Sequence, residues 1–295
     1  MNVLFATDGS KPAHDAGLLL EKIGNRSALD LKVLGVSTFE ILVPENPTFV
    51  ADSLDQRRAH AREIVDSEVA RFDAAGFRAE ALLAEGSPGA QIVTMIEKEG
   101  ADLAVVGAGS RNWLNNLLLG SASTFVLHNS PASVLVTHEA TPGEGPGRIL
   151  VAVDGSEGSR LGVETIARLA DPERTSIHVI SVAEALPPPF LPLPGIAPSP
   201  LPQRHPEIEK ALSQGAEGYA AAAVSVLDEA GFTVDSEIVS GSPTRQILGV
   251  AESGHFDLVV VGSRGLGPIR RAFLGSVSDQ VSRFARATLV ARREK

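Results

Sequence analysis

The sequence predicts an α/β protein built as two tandem doubly wound domains, each a five-stranded parallel sheet with helices on both faces. Three observations lead there: the 295-residue chain repeats itself, short β-branched apolar runs alternate with helix-like segments, and those runs are nearly continuous. Alternation of the two element types means crossover connections, and continuous apolar strands mean a sheet covered on both sides.

The repeat is explicit. "VLFATDGS" at 3–10 returns as "LVAVDGS" at 150–156, and "LKVLGVS" at 31–37 returns as "IHVISVA" at 177–183, both displaced by 146 residues. From there the displacement is 155: "AGFRAEALLAEGSP" matches "AGFTVDSEIVSGSP", "ADLAVVGAGS" matches "FDLVVVGSRG", and "LLLGSAS" matches "AFLGSVS". The nine extra residues of the second copy fall between 184 and 231, where the segment 187–206 carries nine prolines. Proline fixes φ and lacks an N–H, so this insertion reads as an extended or irregular surface loop. It is expected over or beside the second copy's pocket, with a docking motif for a partner as the alternative. The Gly/Pro-rich "HEATPGEGPGR" at 138–148 separates the copies, giving domains at 1–140 and 147–295.

In chain order, the first copy has strands at 2–6, 31–37, 77–84, 102–107 and 133–137, with a long helix at 52–76 ended by Gly76. The second has strands at 148–153, 176–182, 232–239, 256–262 and 287–292, with "EKALSQGAEGYAAAAVSVLDEAG" as the matching helix. Right-handed crossovers make each set a doubly wound unit. The fifth strands, "SVLVT" and "ATLVAR", fall at sheet edges. An exposed apolar edge invites pairing. The two edges are therefore expected to face each other, relating the copies by an intrachain pseudo-twofold.

Composition narrows the chemistry. There is no cysteine, so disulfides and thiolate sites are excluded, and the seven histidines show no pair at ligand spacing. A net charge of −10 argues against a general nucleic-acid surface. Between 255 and 295, however, eight Arg or Lys face three Asp or Glu, which suits either a small anionic ligand or a solvated basic face. No apolar run approaches the ~20 residues of a membrane span. The N-terminus reaches an aspartate within eight residues, unlike a signal peptide, so the cytoplasm is the default location.

The polar turns carry the functional signal. Strand one of each copy ends in "TDGS" or "VDGS", and strand four ends in "GAGS" or "GSRG". Ligands of such sheets bind beyond the strand ends where strand order reverses. If strands one and four are neighbours there, both turns line one crevice, with glycines allowing φ > 0 and close backbone approach. Gly275-Ser276 opens the helix "SVSDQVSRFA", a position suited to phosphate. Glycine after a strand and serine before a helix are also ordinary turn and cap residues. Neither G-x-x-x-x-G-K-[ST] nor a true G-x-G-x-x-G is present.

What does stand in the chain is Gly262-x2-Gly265-x9-Gly275-Ser276. This spacing resembles the ATP-binding signature of the universal stress protein family. "VAVDGS", the "GSP" after strand three and the closing "FLGSVSDQV…ATLVA" resemble that family too, over all but the linker and the proline-rich insertion. The resemblance implies an adenine nucleotide, ATP with or without Mg²⁺, held by Ala152, Asp154, Val182, Gly262, Arg264, Gly265, Gly275, Ser276, Val277 and Ser278. Asp154 would lie beside the nucleoside, the Val182 backbone at the adenine, and the glycines and Ser276 around ribose and phosphates. The matching first-copy residues are Ala6, Asp8, Val36, Gly107, Ser110, Gly120, Ser121, Ala122 and Ser123. Here Ser110 replaces the glycine of the pattern, and Gly109 stands in place of Arg264. If that turn needs a left-handed backbone, a serine costs about 1–2 kcal/mol, weakening the first site several-fold to about thirtyfold.

The resemblance further implies a stress-response regulatory module, and a homodimer of chains is expected. Two other classes stay open at this point. In a nucleotide hydrolase or phosphotransferase, Asp8 and Asp154 would hold Mg²⁺ or act as bases, although each also fits as a ribose or turn-capping residue. A scaffold with decayed sites would work through its surface alone. The absence of an arginine or lysine with phosphoryl-transfer spacing favours the binding module.

Overall fold

The computed structural model describes residues 1–38, 47–109, 119–139, 145–184, 206–265 and 274–292. The first half contributes β1 (Asn2–Thr7), α1 (Lys11–Ile23), β2 (Asp30–Ser37), α2 (Pro47–Ala74), β3 (Arg78–Glu85), α3 (Pro88–Glu99), β4 (Leu103–Gly107), α4 (Ser121–Asn129) and β5 (Ser133–Thr137). The second contributes β6 (Gly147–Val153), α5 (Glu157–Leu169), β7 (Thr175–Glu184), α6 (Pro206–Glu229), β8 (Thr233–Gly241), α7 (Pro243–Ser253), β9 (Leu258–Gly262), α8 (Ser276–Phe284) and β10 (Ala287–Ala291).

Local sequence explains where the helices begin and stop. Each "GSP" places its proline in the first turn of α3 or α7, where a missing N–H costs nothing. Gly100 ends α3 in the left-handed region at φ 60°, and Gly76 follows α2 at φ 89°. The long first-half helix starts at Pro47, five residues before the periodicity places it.

All ten strands join one sheet in the order β3-β2-β1-β4-β5-β10-β9-β6-β7-β8. Every pairing within a half is parallel, and β1 neighbours β4 as β6 neighbours β9. The halves meet through β5 and β10, which run antiparallel with Val134 opposite Val290 and Leu135 opposite Leu289. Stepping 155 residues on from Val134 reaches Leu289, and 155 back from Val290 reaches Leu135, so the two pairs exchange as a twofold requires. Gly24 and Ala170, 146 residues apart, form a second symmetric contact. Around it the Asn25 N–H donates to the Leu169 carbonyl at 2.9 Å, and the Asp171 N–H to the Ile23 carbonyl at 2.8 Å.

Helices cover both faces. On one, α1, α2, α5 and α6 bury a core that runs through both halves, from Phe5, Phe72 and Leu135 to Leu289, Val260 and Leu227. Phe5 and Phe77 each meet Phe72 edge to face, at 5.2 and 5.9 Å. On the other, α3, α4, α7 and α8 close over Leu4, Val106, Leu150 and Val261. No helix among the described residues is long and apolar enough to cross a membrane.

Side chains cross between the halves in matched places. Lys22 of α1 bonds Asp257 at 2.9 Å, and Arg168 of α5 bonds Asp102 at 3.2 Å. Each aspartate also accepts a backbone N–H at 2.9 Å, from Arg148 or Asn2. His138, just past β5, donates from Nε2 to the Ser282 carbonyl at 2.8 Å, in the last turn of α8. Arg292, just past β10, donates to the carbonyls of Ser130 and His128 at 3.0 and 3.3 Å, at the end of α4. Each half thus supplies a basic residue to a helix C-terminus of the other, where the helix dipole favours it.

The two ion pairs differ in burial, the Asp257 side chain being 3% exposed and that of Asp102 33%. Removing one partner of a buried pair strands a charge, whereas an exposed pair contributes little. Lys22→Met is therefore expected to destabilise the protein by about 3 kcal/mol, and Arg168→Met by under about 1 kcal/mol. Urea unfolding of the two variants measures this, and equal losses would refute it.

Candidate functional site

Beyond the carboxyl ends of β6, β7 and β9 lies a cavity of about 640 Å³, within the size range of small-molecule sites. All ten residues singled out in the second half line it: Ala152, Asp154, Val182, Gly262, Arg264, Gly265, Gly275, Ser276, Val277 and Ser278. They arrive from four separate segments, and strand order brings them together. β6 and β9 are neighbours at the point where the crossovers diverge, which opens the crevice.

Two turns build its floor. After β6, Asp154 accepts the Ser156 N–H on Oδ1 at 3.0 Å, and Gly155 takes φ 77°, which closes the chain into α5. Ser156 then accepts the Ser159 N–H at 3.1 Å as the α5 cap, while its hydroxyl donates to the Arg264 carbonyl at 3.1 Å. That last bond ties the β6 turn to the β9 turn. The first half repeats the first arrangement, with Asp8 accepting the Ser10 N–H at 3.0 Å and Gly9 at φ 74°. One oxygen of each aspartate is therefore a turn cap.

The glycines of the second-half pattern work differently from the sequence expectation. None of Gly262, Gly265 and Gly275 has a positive φ; among the turns at the site that conformation belongs to Gly155, at 77°, and to Gly241, at 138° before the lining residues Ser242 and Pro243. A Cβ on Gly262 would stand 2.6 Å from the backbone of Gly158 and Ser159, so this glycine lets α5 pack on β9. Gly107 does the same for α1, where a Cβ would meet the Ala13 nitrogen at 2.5 Å. Only at Gly265 does the close approach concern the cavity, since a Cβ there would lie 2.7 Å from Asp154 Oδ2. Gly265 therefore does not itself need a left-handed backbone. The matching left-handed residue is Gly109 in the first half, at φ 64° and in the place of Arg264.

The fourth wall is a helix start. The Gly275 N–H donates to the Ser263 carbonyl at 2.8 Å, and the α8 ladder begins with the Asp279 N–H on the Gly275 carbonyl at 2.9 Å. The N–H groups of Ser276, Val277 and Ser278 precede that ladder and give the helix start its anion-attracting character. The Ser278 hydroxyl turns inward, donating to the carbonyls of Gly275 and Ser263 at 2.9 and 3.2 Å. Ser123 holds the α4 loop in the same manner, on the carbonyls of Ala108 and Gly120.

Sequence reasoning missed the wall that α6 provides, where Leu212, Gly215 and Tyr219 line the cavity opposite Glu184 of β7. Tyr219 lies so close to Gly155 that a Cβ there would meet the ring at 2.4 Å. In the first half, Ala6, Asp8, Val36 and Gly107 stand at the heads of β1, β2 and β4, and Gly120, Ser121, Ala122 and Ser123 at the start of α4. Ser110 lies outside the described residues, as does nearly all of the proline-rich segment 187–206.

Comparison with known proteins gives this geometry its context. A model of the universal stress protein family matches the chain twice, over residues 1–138 and 146–291. A universal stress protein of Mycobacterium tuberculosis is 28% identical over 244 residues, which span 80% of this chain and 77% of that protein. A second one from the same organism is 30% identical over 207 residues, 69% of this chain and 66% of its own. In fold, the chain is similar to a universal stress protein from Archaeoglobus fulgidus, with a TM-score of 0.66, 23% identity and coverage of 100% and 97%.

The glycine roles separate experimentally. Gly262→Ala forces a methyl against helix backbone and is expected to cost about 2 kcal/mol. Gly265→Ala meets only the movable end of Asp154 and is expected to cost under about 0.5 kcal/mol. Chemical denaturation of both variants checks the contrast.

Proposed function

This chain belongs to the universal stress protein family, and on that premise we propose that it is an adenine-nucleotide-binding stress-response module whose working site is the second-half cavity. The observation that carries the reading is the convergence of four segments on one 640 Å³ space, with a helix start at one side and Asp154 at another. Anionic phosphates suit the N–H groups at the start of α8 and the Arg264 guanidinium. A ribose suits Asp154, whose Oδ1 is bound to the Ser156 N–H and whose Oδ2 faces Gly265. The base suits the apolar strand ends at Ala152 and Val182. The finer assignment is ATP, because the helix start and Arg264 together offer more donors than one phosphate uses.

Binding rather than turnover fits the polar groups present. Asp154 and Glu184 are the two carboxylates that line the cavity among the described residues. One oxygen of Asp154 caps its turn and the other is assigned here to the ribose, whereas general-base catalysis asks for a carboxylate held on the attacking water. The chain's residues would then hold the nucleotide and transmit its presence, rather than hydrolyse it.

Protein purified from cells and then denatured is expected to release ATP in near-stoichiometric amount. Steady phosphate release from added ATP would instead establish a hydrolase. Asp154→Ala is expected to weaken ATP binding about tenfold, the equivalent of 1.4 kcal/mol, when measured by calorimetry.

A further inference from the structure

The two halves share a backbone plan but differ in how the long helix meets the sheet. The displacement of 155 places α2 on α6, and the structure supports it residue by residue. Ile64 stands against Gly9 as Tyr219 stands against Gly155. Buried Val65 and Phe72 likewise match Ala220 and Leu227. By the same step Arg57 matches Leu212, Arg58 matches Ser213, and His60 matches Gly215. Thr38, just past β2, matches Glu184 by the displacement of 146 that holds there.

In the first half these positions are joined. Arg57 donates from Nη1 to the Thr38 carbonyl at 3.1 Å, spanning from α2 to the end of β2. Arg58 bonds the carboxylate of Glu85 at the end of β3, and this hydrogen bond holds the Glu85 carboxyl below its ordinary range. In the second half three of the corresponding positions border the cavity instead. Leu212 and Glu184 line the cavity, and Gly215 adds no side chain where the first half carries His60. Ser213, in the place of Arg58, donates along its own helix to Glu217 at 3.4 Å, and Ser240 replaces Glu85.

We infer that Arg57 and Arg58 form a clasp that shuts the crevice of the first half, so that the chain takes up one adenine nucleotide, in the second half. The inference rests on the nucleotide reading of the cavity and adds which half is occupied and what decides it. The Arg57 bond spans from the long helix to the end of the second strand, where the second half places Leu212, Gly215 and Glu184 along its cavity. Two bonds to different strands close the first crevice more firmly than one, and both lie at the surface, where replacing them leaves the core intact.

Calorimetry with ATP tests this on the intact chain. The wild type is expected to bind one equivalent. The Arg57→Leu/Arg58→Ser variant, which copies the second half, is expected to bind two. Conversely, Leu212→Arg/Ser213→Arg is expected to weaken the wild-type event at least tenfold. In a Gly265→Val background, which crowds Asp154 in the second cavity, the Arg57→Leu/Arg58→Ser variant is expected to retain one event. A wild type that binds two equivalents of similar affinity overturns the clasp while leaving the nucleotide reading intact. So does a clasp variant that still binds one. Absence of binding in every one of these proteins overturns both.

Discussion

The antiparallel pairing of β5 with β10 is the constraint on which the rest of the molecule depends. Each is five residues long and buried throughout, and neither could stand as the edge of an isolated sheet without presenting an apolar row of unpaired backbone groups. Pairing them turns two five-stranded sheets into one of ten strands and merges the cores on one face into a single cluster. The direction of the pairing also has a functional consequence. Strands of the two halves run oppositely along the shared sheet, so their carboxyl ends, and the crevices above them, open toward opposite sides. No single small ligand bridges the two crevices. Communication between them must pass through the β5–β10 seam or through the residues that cross it.

Those crossing residues sit where such communication would start. His138 bonds the last turn of α8, and the first turn of α8 lines the cavity. Arg292 bonds the end of α4 in the reciprocal place. A short helix of nine residues held at its C-terminus by one half and facing the cavity of the other with its N-terminus is a rigid connection between the seam and the site. The Lys22–Asp257 and Arg168–Asp102 pairs fix α1 and α5 in the same symmetric way at the other end of the strands.

Much of this was legible in the chain. The repeat and the alternation of strands and helices followed from apolar runs and their spacing, because burial on both faces leaves a strong compositional trace, while the neighbouring of β1 with β4 entered only as a condition that the strand order then met. The edge pairing followed from the hazard of an exposed "SVLVT" or "ATLVAR". That the ten residues singled out in the second half meet around one cavity was legible because three of the four segments bear glycine or serine at fixed offsets. What each glycine does was not legible. A glycine that admits a helix, as Gly262 does, and one that stands off a carboxylate, as Gly265 does, look alike until distances exist. The α6 wall was invisible for another reason: Leu212, Gly215 and Tyr219 carry no motif, and their meaning lies in comparison with Arg57, His60 and Ile64.

That comparison divides the repeated positions into two kinds. The residues both halves keep are committed to internal bonds or contacts. Asp8 and Asp154 cap turns, Gly107 and Gly262 admit a helix, and Ser123 and Ser278 hold the loop before α4 or α8. The positions at which the halves differ include Ser110 against Gly265, Arg57 against Leu212, His60 against Gly215 and Ile64 against Tyr219. In the second half each of these residues lines the cavity. A duplicated fold can therefore retain much of its turn chemistry, as at Asp8 and Ser123, in a half whose crevice is shut. The recurring pattern serves the backbone as well as the site, and on the clasp reading occupancy is decided by side chains on the long helix that the pattern does not include.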